Sequence, residues 1–175
     1  SSEYPASKYT MLRSPERALW HQAPSTEMPV SGTTRPVISG VEAARAMMPE
    51  YLAHRELLSE HMRSQVETYA DLPRAQYSAA MRHVRECRRE FTAFKQDADF
   101  DVLLTPSAPD EAPTGLESTG SAIFNRNWTL LGVPCMTLPA GRGPQGLPLG
   151  IQLVGDYDED ERLLRVAEWV RRKLK

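Results

Sequence analysis

The sequence is poor in several residue types, and each scarcity removes a class of function. It has only two cysteines, Cys87 and Cys135, far apart and in unlike contexts. Two such thiols make no disulfide framework and no cysteine metal site, so no metal is expected, and a reducing, cytoplasmic setting is. Lysines number four, at 8, 95, 173 and 175, and the formal net charge is -2 with a pI of about 6.1. No clustered basic face for nucleic acid is to be expected from such a balance. No apolar run approaches the ~20 residues needed to span a bilayer, so no membrane partner is expected. The patterns G-x-S-x-G, G-x-x-x-x-G-K-[ST] and G-x-G-x-x-G are all absent, which removes the nucleophile elbow and the common phosphate loops. No cofactor is expected.

What is there is an ordinary globular composition, 41 % hydrophobic and 25 % charged over 175 residues. That suits one domain or a large piece of a bigger one. The chain opens at Ser1 without Met, which leaves room for a removed leader or a missing N-terminal half. Residues 1–40 carry five prolines and read as a mostly irregular lead-in, with one short helix expected at Ser14-Pro15.

From residue 41 the pattern is helical. Ala44, Met47, Met48, Tyr51 and Leu52 share a face, continued by Leu58, Met62, Val66 and Tyr69. Pro49 is expected to kink or divide this stretch. After Pro73, Tyr77, Met81, Val84, Phe91 and Phe94 form a second stripe to about residue 97. The opposite, solvated face is expected to carry Arg82, Arg85, Arg88, Arg89 and Lys95. Val102-Leu103-Leu104 reads as a buried strand ended by Thr105-Pro106, and residues 107–122 as a loop. A helix from Phe124 should end at Gly132. Strands follow at 133–138 and 149–154, joined by a glycine-rich tight turn. The last helix, 158–174, is expected to be capped by Asp158 in a capping box with Glu161. Helices first, then strands interleaved with loops and helices, make an α/β pattern, a sheet covered by helices.

No complete catalytic set emerges from these residues. Ser118 and Ser121 read as loop serines in preference to nucleophiles. His54, His61 and His83 fall on helices and read as polar-face residues, while His21 has no nameable partner. His83 and Cys87, four apart, could share a helix face, but Cys87 lies on the apolar stripe and reads as a buried thiol. Cys135 reads as a packing residue within a strand.

One set of strings is more informative. Asp101-Val-Leu-Leu-Thr-Pro106, Thr119-Gly120, Asn127-Trp-Thr-Leu-Leu-Gly-Val-Pro134, Leu138-Pro-Ala-Gly141 and Gly146-Leu-Pro-Leu-Gly-Ile-Gln-Leu-Val-Gly155, with Leu163-Leu164, occur in order. Together they resemble the C-terminal half of the amidase signature family, over about residues 41–175. The resemblance implies the C-terminal part of a mixed sheet covered by helices. It also implies hydrolysis of carbon–nitrogen bonds in a small-molecule amide through an acyl-enzyme. In that family a serine, a second serine with a cis peptide bond and a lysine form the relay, and backbone N–H groups hold the oxyanion. All lie in a Gly/Ser-rich N-terminal half that has no match here, so no catalytic residue carries over. This chain alone is expected to be inactive. Thr119, Gly120, Asn127, Trp128 and Thr129, with loop 115–122, are the expected substrate-binding candidates, weighed against a purely supporting role. A severed half should also expose apolar surface that the missing half or another chain covers. The alternative is a truncated, non-catalytic binding or scaffold module derived from the same fold.

Overall fold

Residues 10–12, 21–22 and 34–174 are described by a computed structural model. The elements are β1 (Thr10–Leu12), β2 (His21–Gln22), α1 (Thr34–His54), α2 (Glu60–Tyr69), α3 (Arg74–Asp97), β3 (Val102–Pro106), α4 (Arg126–Leu131), β4 (Cys135–Arg142), β5 (Pro148–Val154) and α5 (Asp160–Lys173). The helix expected at Ser14-Pro15 lies outside the described residues. The chain forms two units, Pro29–Cys87 and the remainder, and the division falls within α3.

In the first unit, α1 begins at Thr34, earlier than the proline-rich lead-in suggests. Pro36 falls in its first turn, where a missing N–H costs nothing. Pro49 does not divide it; the helix runs on to His54. A 3-10 turn at Arg55–Leu57 makes the break instead. Ser59 then caps α2, its hydroxyl accepting from Met62 N at 3.3 Å. Ile38, Val41 and Ala44 are buried on α1, as is Val66 on α2. Glu67 ties the two together, its Oε1 accepting from Tyr51 at 2.8 Å and Arg55 at 2.5 Å.

The second unit holds the sheet, in the order β2-β1-β3-β5-β4, with every described pairing antiparallel. With helices on it, this is the expected α/β architecture. One face carries Val102, Leu138 and Leu153, and α5 buries Leu163, Ala167 and Val170 against them. The other face carries Leu103, Thr105, Gln152 and Val154, also buried. Here α4 is anchored, because its leading residue Asn125 accepts from Gln152 at 2.6 Å. Gly132, at φ +66°, ends α4 in the left-handed conformation that favours glycine.

Three expectations need correction. β4 runs on to Arg142, past Pro139, with an irregularity between Pro139 and Gly141. As an edge strand it tolerates a missing donor. Asp158 does not cap α5: it sits at φ +64°, the N-cap is Glu159, and no side chain bonds there. Glu159 and Asp156, on either side of Asp158, are both ion-paired to Lys95. Lys95 is buried, not solvated, and Arg88 is half-buried, its Nε donating to Leu131 O at 2.7 Å.

Candidate functional site

A cavity of about 660 Å³ opens at the C-terminal end of β3. Its walls are the loop after β3 and the β4–β5 hairpin, and its floor is the start of β5. The hydroxyls of Ser107, Thr119, Ser121 and Thr137 line it. Pro109, Pro113, Pro139 and Pro148 give it rigid apolar sides. Among the described residues, Asp110 and Glu111 are its only charged lining groups.

The sequence builds this place through a short polar relay. Thr105 Oγ1 donates to Gln152 Oε1 at 3.2 Å, and Gln152 Nε2 donates to Asn125 Oδ1. Asn125 Nδ2 donates to Ser107 O at 3.1 Å. The amide of Asn125 is therefore spent on the sheet and the loop, which explains why it makes no side-chain cap for α4. Gly150 completes the floor. A Cβ there would stand 2.8 Å from Thr137 Cγ2 and 2.9 Å from Ser107 Oγ, so only glycine lets those two side chains close in. Their hydroxyls bond to each other at 3.2 Å.

Of the residues expected to bind substrate, Thr119 and Gly120 line the cavity, as does the loop serine Ser121. Asn127, Trp128 and Thr129 lie on α4 and are not among its lining residues. Trp128 is buried, its ring 5.8 Å from that of Phe91. Asp110, Glu111, Pro109 and Pro113 were not singled out, although turn-forming composition in a loop after a strand is itself a pointer. Ser118 is exposed, and its Oγ accepts from Gly120 N at 3.1 Å. Among the described residues, no histidine and no lysine lines the cavity.

The other candidates sit apart. His54 and His61 are exposed, and His83 is half-buried with its ring 3.7 Å from Cys87 Sγ. Among the described residues no group of three or more potential ligands could hold a metal. No described helix is long and apolar enough to cross a membrane. Cys135 opens β4 as an exposed residue, yet its sulfur turns back toward Val133 O at 3.8 Å. Desolvation there pushes the thiol up to about 11. A raised value keeps it protonated at neutral pH, so it is no nucleophile. Alkylation by iodoacetamide should be slow at pH 7.5 and rise with an apparent pKa near 11; an onset near the ordinary ~8.5 would contradict this.

Among known proteins, the family profile described as Amidase matches residues 13–164. A glutamyl-tRNA(Gln) amidotransferase subunit from Alkaliphilus metalliredigens is 33 % identical over 107 residues, covering 57 % of this chain and 21 % of the relative. The subunit of the same name from a Neisseria meningitidis serogroup A strain is 37 % identical over 86 residues, 46 % of this chain and 17 % of the relative. This chain thus matches about a fifth of the length of those relatives. Among solved structures, an amidase superposes with a TM-score of 0.69 at 28 % identity, over 85 % of this chain and 37 % of the other. A 6-aminohexanoate cyclic dimer hydrolase superposes at 0.63 with 21 % identity, over 81 % and 34 %, a likeness of fold.

Proposed function

The chain belongs to the amidase family, and from that premise we propose that it is the C-terminal portion of an amidase signature hydrolase. The whole enzyme cleaves carbon–nitrogen bonds of small amides through an acyl-enzyme, in the cytoplasm. The observation that carries this reading is the cavity between the loop after β3 and the β4–β5 hairpin, which lies inside the matched residues. Its proline walls and hydroxyls suit the body of a small amide, apolar surface with a few polar anchors. Thr119 and Gly120 face the substrate, while Asn127, Trp128 and Thr129 back the wall. Among the described residues no lysine and no histidine lines the cavity, and of its two carboxylates Glu111 is taken up by the backbone N–H groups of Gln145 and Leu147. The nucleophile, relay serine and lysine therefore belong to another part of the protein, and residues 41–175 supply framework and pocket wall.

Exposed apolar side chains support a covering partner, either that catalytic half or a separate chain. Leu116, in the loop after β3, is 100 % exposed and Leu147, in the β4–β5 turn, 40 %, with Ile123 following that loop. β4 ends the sheet, and among the described residues no strand pairs with its outer edge. The want of a lining lysine or histidine among the described residues also favours a second reading, a non-catalytic module that holds an amide without cutting it.

Benzamide and simple aliphatic amides test the proposal. The chain alone should release no ammonia, while benzamide should shift the backbone N–H resonances of Thr119 and Gly150. Hydrolysis by this chain would contradict its catalytic incompleteness. A Gly/Ser-rich stretch in the upstream reading frame would side with the hydrolase, and a reading frame beginning near Ser1 with the binding module.

A further inference from the structure

The β4–β5 turn is short of partners for its own N–H groups. Gly143 N donates to Leu147 O at 2.9 Å and Gly146 N to Gly143 O at 3.0 Å, while Pro144 has no N–H. Two donors remain, Gln145 N and Leu147 N, and both point at one carboxylate. Gln145 N donates to Glu111 at 3.0 and 3.2 Å, and Leu147 N donates to Glu111 Oε1 at 2.8 Å. The turn thus cradles an anion supplied by the opposite wall of the cavity. Gly143 makes room for it, since a Cβ at that position would overlap the Glu111 carboxylate. Glu111 is itself fixed, its N–H donating to Asp110 Oδ1 at 2.8 Å.

We propose that Glu111 is a positioning residue of the cavity: its carboxylate latches the β4–β5 turn to the loop after β3 and so sets the separation of the two walls. Hydrogen bonds to a charged acceptor are about twice as strong as neutral ones, and here they join two segments 34 and 36 residues apart in sequence. The positioning role rests on the reading of the cavity as a substrate pocket; the latch itself does not.

Amide hydrogen exchange and benzamide titration of the labelled full chain, followed by NMR, test both parts. In Glu111→Ala, exchange at Gln145 and Leu147 should quicken tenfold or more, with Gln152 and Leu153 in the β5 ladder unchanged. Benzamide affinity, read from the Thr119 and Gly150 resonances, should fall roughly tenfold. Gly143→Ala reaches the latch from the other side and should give the same pattern, with no further loss in the double variant. Glu111→Gln keeps one acceptor oxygen and should recover part of both effects. Unchanged exchange at Gln145 and Leu147 in Glu111→Ala would overturn the latch. Faster exchange with unchanged benzamide affinity would overturn the positioning role. Absence of any benzamide shift in the wild-type chain would refute the substrate pocket, and the positioning role with it, while faster exchange in the variant would still uphold the latch.

Discussion

Replacing Lys95 by Met should cost about 3–5 kcal/mol in urea unfolding, the range for removing one partner of a buried charge pair. Lys95 is 5 % exposed, on α3, and its ammonium bonds to Glu159 and stands 3.9 Å from Asp156 Oδ2. Asp156 is buried too, and its Oδ1 accepts from Thr92 Oγ1 and from Tyr157 N, each at 2.8 Å. Methionine retains the apolar stem but strands the Asp156 carboxylate without a cation. The double variant Lys95→Met/Asp156→Asn should therefore regain part of the loss. Equal stability of the two variants would show that the charge pair is not the cause.

The same cluster has a pH signature. Burial raises the Glu159 carboxyl, but the hydrogen bond and charge of Lys95, with Arg162 beside it, outweigh this and hold it below the ordinary range. A carboxylate held low when folded contributes stability above its unfolded value, about 4.3, and loses it as pH falls through the folded value. Wild-type stability should thus decline on acidification below about pH 5, and Lys95→Met should decline less steeply over the same interval.

These charges mark the limit of what the chain discloses as a string. Periodicity located α3 and α5 closely, because apolar residues on one face have to be buried and polar ones need not be. Gly132 marked the end of α4 for a comparably local reason. Lys95 and Arg88 escaped because a long side chain on a polar face carries no record of its partner. Their acceptors, Glu159 and Leu131 O, are 64 and 43 residues away. Glu111 escaped for a related reason: the groups it binds are backbone N–H groups, which leave no residue-type signal. The glycine-rich turn was readable as a turn. That its remaining donors serve an internal carboxylate depends on how the loop after β3 folds over it. Asp158 misled because capping preference is a statistical tendency of the residue type, whereas its backbone here takes a left-handed turn that brings Glu159 to the helix start.

Trp128→Ala should cost about 3–5 kcal/mol, the usual range for a buried large aromatic, and should change the cavity only as a consequence. Trp128 is 2 % exposed, and Leu131, one turn on, is fully buried. Between them they hold α4 in the second unit, with Phe91 of α3 tilted against the indole. Asn125, the residue that tethers the loop after β3 at Ser107, leads directly into this helix. Loosening α4 should therefore quicken amide exchange in residues 107–111 as well as in α4. Thr129→Ala, on the exposed side of the same helix, should stay within ~0.5 kcal/mol of wild type. The pair separates the two roles open to the Asn127-Trp-Thr string. If Trp128 backs the wall, Trp128→Phe should restore most of the stability and benzamide affinity together, because what the wall needs is buried volume. If Trp128 met the substrate itself, Trp128→Phe would recover stability and leave benzamide affinity impaired, and the backing role would fail.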